Sequence, residues 1–232
     1  MASDISVIVT ARNEADRIGM TLVALGLAFP GAPVWVADDG STDATPEIAR
    51  RGGAQVVRVE RAIGKGGAAT RAAGDALGQA LLDAGGAGGE PIFILCDGDL
   101  SESAQGLGAL AEAIRRGEAD VAVAGFSRRV GGGVGLAIAF ARWAIRRRCG
   151  LRMAAPISGQ RALRARALED VLPFAQGFGM EVGMTIDAVR AGHRVAEIEL
   201  DLSHRATGRT LAGFAHRGRQ LVDFVRVFRA RA

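Results

Sequence analysis

Pro91-Ile92-Phe93-Ile94-Leu95-Cys96-Asp97-Gly98-Asp99-Leu100-Ser101 sets an unbroken apolar run against two carboxylates separated by one glycine. A run that is apolar at every position has the composition of a strand buried on both faces, as at the centre of a parallel sheet. The carboxylates then fall at the strand's carboxyl end, where open α/β sheets place their ligands. Two carboxylates this close repel and are costly to desolvate. A divalent cation, itself neutralised by phosphates, relieves both problems, and Mg2+ or Mn2+ prefers such oxygen donors. The plain alternative is an Asp-Gly turn followed by an Asp or Ser helix cap.

Upstream, Ile5-Ser6-Val7-Ile8-Val9-Thr10 is a β-rich run followed by the polar Ala11-Arg12-Asn13-Glu14. Leu22, Leu25 and Phe29 then form a helical stripe, which Pro30-Gly31-Ala32-Pro33 stops. Val34-Trp35-Val36-Ala37 makes a second strand. It ends in Asp38-Asp39-Gly40-Ser41-Thr42-Asp43, where Ser41 or Thr42 is placed to cap the next helix. Gln55-Val56-Val57-Arg58-Val59 is a third strand, and Gly64-Lys65-Gly66-Gly67 opens a long alanine-rich helix. Strands alternating with helices give an α/β fold with a mostly parallel central sheet flanked by helices.

Downstream, a helix is expected from about Glu102 to Arg116, then a strand over Ala119-Asp120-Val121-Ala122-Val123-Ala124. Gly131-Gly132-Gly133 enters a helix with Leu136, Phe140 and Trp143 as apolar positions, closed by Arg146-Arg147-Arg148 and Gly150. Pro156-Ile157-Ser158-Gly159-Gln160-Arg161 reads as a polar loop. Gly177-Phe178-Gly179-Met180-Glu181-Val182-Gly183 opens another helix, and Val195-Ala196-Glu197-Ile198-Glu199-Leu200 alternates like a strand with one wet face. The last stretch, from about Thr210 to Arg229, is a basic amphipathic helix with Leu211, Phe214, Leu221, Val225 and Phe228 on its apolar stripe.

A chain of 232 residues suits one domain with a sizeable core. No apolar run approaches the roughly 20 residues that span a bilayer. No basic leader precedes the first apolar stretch, and Cys96 and Cys149 have no metal-site or disulfide spacing. These features favour a cytoplasmic protein, or one peripheral at the inner face of the membrane. The net charge of +4 conceals an asymmetry: between Val121 and Leu168 there are ten arginines and no Asp or Glu, whereas Lys65 is the sole lysine. Such segregation points to an anionic ligand or surface on the later half. Arg128 and Arg129, after a strand and before three glycines, are the candidate acceptor-binding pair, because guanidinium forks suit phosphate or carboxylate.

No glycine fingerprint follows the first strand, which disfavours a dinucleotide site, and Gly64-Lys65-Gly66 lacks the spacing of a phosphate-binding P-loop. Together, Val9-Thr10-Ala11-Arg12-Asn13-Glu14, Asp38-Asp39-Gly40-Ser41-Thr42-Asp43, Gly64-Lys65-Gly66 and Asp97-Gly98-Asp99 resemble the nucleotide-sugar glycosyltransferases of the A-type (GT-A) fold, the family-2-like group. The second half is similar to glucosyl-3-phosphoglycerate synthases through Gly177-Phe178-Gly179-Met180-Glu181-Val182-Gly183 and Ser203-His204-Arg205. Polyprenyl-phosphate sugar transferases are the other near group.

The resemblance implies a single domain, with a nucleotide-sugar half over 1–100 and an acceptor half over 101–232 that ends in a basic helical extension. Thr10, Glu14, Asp39, Lys65 and Asp97 would bind the donor. Asp39 would accept from a base ring N–H, which favours a UDP-sugar. Lys65 would lie near the donor's nucleotide or phosphates and Asp97 near the ribose. Asp99 and His204 would ligate Mg2+ or Mn2+. Glu181, a carboxylate at a helix start, would act on the acceptor hydroxyl as the catalytic group. The reaction implied is glycosyl transfer to an anionic acceptor, either a small phosphorylated metabolite or a polyprenyl phosphate at the membrane surface. Peripheral membrane contact and a homodimer stay open.

Two other classes compete. A nucleotidyltransferase would want a glycine- and arginine-rich loop after the first strand, where this chain has the glycine-free Ala11-Arg12-Asn13-Glu14. A non-catalytic binder of anionic surfaces could use the arginine-rich half. Nucleic acid is not expected as a partner, because 5% aromatics without tyrosine leaves few stacking platforms.

Overall fold

The computed structural model describes residues 3–83, 89–126, 135–200 and 222–231. Seven strands form one sheet: β1 (Ile5–Ala11), β2 (Val34–Asp38), β3 (Gln55–Arg58), β4 (Ile92–Asp97), β5 (Val121–Phe126), β6 (Arg161–Arg164) and β7 (Val195–Leu200). Their order is β3-β2-β1-β4-β6-β5-β7. All neighbours are parallel except β6, which runs antiparallel to both β4 and β5. The helices are α1 (Ile18–Ala28), α2 (Thr45–Arg51), α3 (Lys65–Asp83), α4 (Gly108–Arg115), α5 (Leu136–Cys149), α6 (Ala165–Val171) and α7 (Met180–Arg190). A further helix, α8, covers 222–230. The result is a three-layer α/β/α domain, as the alternating pattern requires.

The central strand is buried on both faces, and its residues divide between two cores. Ile92, Ile94 and Cys96 join Val7, Val9 and Val36 beneath α1 and α4, where Ile18, Leu22, Leu25, Leu110 and Ile114 close the layer. Phe93 and Leu95 face the other way, with Ile8, Val123 and Leu163. There α3 presents Ala68, Ala69, Ala72, Ala73 and Ala76, all 1% exposed or less. Small side chains at that spacing let the α3 backbone lie close to the sheet.

Several local expectations need correction. Strand β6 lies partly in a stretch read as loop. It is only four residues long with arginine at both ends, so its alternation is hidden. Yet Arg161 is fully buried and pairs in register with Leu95. The helix expected from 102 to 116 begins as a 3-10 turn, Ser101–Leu107, before α4. Neither Ser41 nor Thr42 caps α2, whose cap position is Ala44. In α5 the buried face is Ala141, Ala144 and Ile145, whereas Leu136 and Trp143 are exposed. Residues 210–221 lie outside the described residues; in α8 the buried positions are Phe224 and Val227. Gly150, at φ +77, closes α5 as expected.

Candidate active site

Parallel pairing aligns the carboxyl ends of three strands. Thr10 of β1 is the register partner of Asp97 of β4, and Ala11 that of Asp38 of β2. Gly98 is squeezed in the turn that follows β4. A methyl group there would meet Ile18 Cδ1 at 3.1 Å, Ala11 Cβ at 3.2 Å and the Thr10 carbonyl at 3.3 Å. The glycine between the two carboxylates is thus fixed by packing. The buried Thr21 hydroxyl holds the same turn, donating to the Gly98 carbonyl at 2.8 Å and accepting from the Ser101 amide at 2.8 Å.

Around Asp97 the chain gathers groups from four places. Thr10 Oγ1 donates to Asp97 Oδ1 at 2.9 Å and Gln160 Nε2 donates to Oδ2 at 2.9 Å. Lys65 Nζ lies 2.7 Å from Asp97 Oδ1 and 2.7 Å from Glu181 Oε1, bridging the two carboxylates. Burial alone would raise the Asp97 carboxyl; the Lys65 ammonium, with the bonds from Lys65, Thr10 and Gln160, outweighs it and holds Asp97 below its ordinary value. Burial would likewise lower the Lys65 ammonium, but Asp97 and Glu181 together push it well above the usual lysine range. Gly159 leaves the room for this contact, since a Cβ there would sit 2.7 Å from Lys65 Nζ.

A buried cation backs the cluster. Arg161 Nε donates to the Ser158 carbonyl at 3.0 Å and Nη1 to Thr185 Oγ1 at 2.9 Å; Thr185 in turn donates to the Glu181 carbonyl at 2.9 Å. Burial lowers the guanidinium to about 10, while Glu181 and Glu197 act against the shift. Gln160, Arg161 and Thr21 escaped sequence reasoning. A buried arginine and a lone glutamine carry no periodic signal, although the two side chains do follow the glycine of Ser158-Gly159.

The second loop is fastened to the first by side chains. The Asn13 amide donates to Ser41 Oγ at 3.0 Å, the Thr42 amide donates to Asn13 Oδ1 at 2.8 Å, and the Glu14 amide donates to Thr45 Oγ1 at 2.8 Å. Asn13 sits at φ +56, a conformation asparagine tolerates better than most residues. Glu14 is half-buried behind these contacts. Asp39 is buried, and its carboxylate accepts the amides of Ile63 at 2.7 Å and Gly64 at 3.1 Å. It therefore anchors the loop that delivers Lys65. Asp39→Ala is expected to leave both amides unpaired, cost about 1–3 kcal/mol, and lower the thermal midpoint by several degrees in a calorimetric scan.

The structure thus brings together Thr10, Lys65, Asp97 and Glu181, with Asp39 and Glu14 on the adjoining loops. Asp99 follows one residue beyond the squeezed glycine. His204, Arg128 and Arg129 lie outside the described residues. Among the described residues, no three His, Cys, Asp or Glu side chains converge as a metal cage. No helix among them is long and apolar enough to cross a membrane.

Comparison with known proteins gives the arrangement its context. The chain is 29% identical to an undecaprenyl-phosphate mannosyltransferase of Micrococcus luteus, over 94% of this chain and 91% of that protein. It superposes on glucosyl-3-phosphoglycerate synthase of Mycobacterium tuberculosis in complex with Mn2+, UDP-glucose and glycerol 3-phosphate. That match has a TM-score of 0.72 and 26% identity, and covers 99% of this chain and 80% of the other. The same synthase with Mg2+ and UDP matches at a TM-score of 0.72 and 26% identity, over 99% and 79% of the two chains. The profile of glycosyl transferase family 2 matches residues 6–172, well over half of the sequence. With its GT-A fold and its strand-end carboxylates, the chain belongs to glycosyl transferase family 2 and is a glycosyltransferase.

Proposed function

We propose that the protein moves a sugar from a nucleoside diphosphate sugar, a UDP-sugar first, to an anionic acceptor, with Mg2+ or Mn2+ at the Asp97–Asp99 turn. The observation that carries the proposal is the Lys65 bridge between Asp97 and Glu181 at the carboxyl ends of the central strands. It ties the donor loop to the helix that carries the acceptor-side carboxylate. An ammonium has three donor hydrogens; two serve the carboxylates, and the third is left for an oxygen of the departing diphosphate. Glu181 Oε1 takes the lysine, leaving Oε2 to orient an acceptor hydroxyl or receive its proton. Asp39 Oδ2 accepts a single amide, which leaves a lone pair for a base N–H.

The donor set suits a hard divalent ion. Both oxygens of Asp97 are engaged by Lys65, Thr10 and Gln160, so Asp99 and His204 are the protein groups that would hold the metal, with phosphate oxygens completing its shell. When bound, the ion would stabilise negative charge on the leaving diphosphate. The anionic acceptor is supported by Arg128 and Arg129 within the acid-free run and by the glycerol 3-phosphate held by the mycobacterial relative.

A second acceptor reading, a polyprenyl phosphate, is favoured by the Micrococcus relative. One face of α5 fits it: Trp143 and Leu136 are 50% and 67% exposed beside the exposed Arg146 and Arg147. Aromatic and basic side chains mixed in this way suit an anionic membrane surface. The experiment is UDP release from UDP-glucose with Mn2+, comparing glycerol 3-phosphate, 3-phosphoglycerate and detergent-dispersed undecaprenyl phosphate. Release driven by a soluble phosphate without lipid supports the first acceptor, and release driven by the lipid supports the second. Turnover of guanosine donors alone would overturn the base assignment, and an exclusively neutral acceptor would overturn the anion site.

A further inference from the structure

The three glycines around Glu181 answer to the far end of the chain. A Cβ built at Gly177 would overlap the Asp223 carboxylate, and one at Gly179 would overlap Val227 Cγ2. One at Gly183 would lie 3.0 Å from Arg231 Nη2. Asp223, Val227 and Arg231 are spaced by four residues, so a single face of α8 and its carboxyl end lies along the Glu181 segment. The contact is polar at both ends and apolar between. The Phe178 amide donates to Asp223 Oδ2 at 3.1 Å, and Arg231 Nε donates to Asp187 Oδ1 at 2.7 Å. Phe224 and Val227 are 1% and 4% exposed. The same stretch of chain also meets the lysine loop. A Cβ at Gly66 would overlap the Ala175 carbonyl, and one at Gly64 would lie 3.3 Å from Gly177 Cα.

Resting on the acceptor-side role of Glu181, we infer that α8 is a positioning element for the reaction. Asp223 and Val227 touch no reacting group. They fix the backbone of residues 177–183 against the lysine loop, and so set the Glu181 carboxylate at its distance from Lys65. Catalysis depends steeply on such placement: a misplacement of about 1 Å costs on the order of 10²-fold. The sequence separation between α8 and Glu181 makes this a coupling that no local motif encodes.

A size exchange tests it. Gly179 has φ −77, which alanine adopts without strain; the added methyl group of Gly179→Ala would strike Val227 Cγ2 and lie 3.3 Å from the Asp223 carbonyl. Val227→Ala removes the struck atom. Gly179→Ala should lower kcat by about 10²-fold with the KM for the UDP-sugar held within about twofold, and the Gly179→Ala/Val227→Ala double variant should recover most of the loss. Independently, Asp223→Ala should lower kcat at constant donor KM, whereas Asp223→Asn, which keeps an oxygen for the Phe178 amide, should not. That pair keeps the inference testable should Gly179→Ala fail to fold. Circular dichroism and thermal midpoints establish that the compared variants are folded. Glu181→Gln is the reference. If it turns over normally, the acceptor-side reading itself fails. If it is inactive while Gly179→Ala or Asp223→Ala keeps the parent kcat, the positioning role alone is overturned.

Discussion

Lys65→Met is expected to lower turnover by about 10²- to 10³-fold, the loss seen when one well-placed donor to a developing anion is removed. The variant keeps most of the length of the side chain but deletes the charge that joins Asp97 to Glu181. It also leaves two carboxylates facing one another. Breaking a fully buried pair costs about 3–5 kcal/mol. Here the Lys65 and Asp97 side chains are 24% and 33% exposed, so solvent screening reduces the figure to about 2 kcal/mol. The pH dependence has a definite sign. Asp97 titrates below its ordinary value, so its contribution is complete above about pH 4 and is lost as pH falls through the lower folded value. Lys65 titrates above its ordinary value, so its contribution is complete below about pH 10 and is lost only as pH rises further. The stability gap between parent and variant should be widest from neutral pH to about pH 10 and narrow in acid, where the facing carboxylates of the variant protonate first, as read by urea denaturation. An equal gap at about pH 2 would show that the bridge is not its source.

Glu181→Gln should be the other large effect. The amide keeps the shape and still accepts the Lys65 hydrogen bond, but it cannot take a proton. Turnover should fall by about 10²- to 10⁴-fold while donor affinity, measured by titration with UDP, changes little. A folded variant with parental turnover would leave Glu181 only its favourable place at the start of α7.

Much of this was legible before any coordinates. The unbroken run from Ile92 to Cys96 announces a strand buried on both faces, and β4 is that strand. The polar ends of the first strands point to the same edge of the sheet, where Thr10, Asp97 and Lys65 meet. What stayed hidden is what depends on distant contacts. Strand β6 is too short to show alternation, and burying Arg161 defeats any hydropathy pattern. Gln160 reads as an ordinary loop residue until β6 carries it to Asp97. Asp39 reads in the sequence as a contact to the donor base, and nothing local signals that its bonds to the amides of Ile63 and Gly64 also make it a loop anchor. Gly177, Gly179 and Gly183 read only as part of a helix start, and nothing local signals that they make room for α8. In α5 Phe140 of the expected apolar stripe packs against the core while Leu136 and Trp143 are exposed, because Ala141, Ala144 and Ile145 suffice for the closely packed side.

As proposed, a divalent ion held by Asp99 would join the nucleotide diphosphate to this strand end. Isothermal titration of UDP into the parent and into Asp99→Ala, each with Mn2+ and with EDTA, tests it most directly. Mn2+ should tighten UDP binding to the parent by about tenfold or more, some 1.4 kcal/mol, and the folded Asp99→Ala protein should show no such gain. The same Mn2+-dependent affinity in both proteins, or none in the parent, would contradict it.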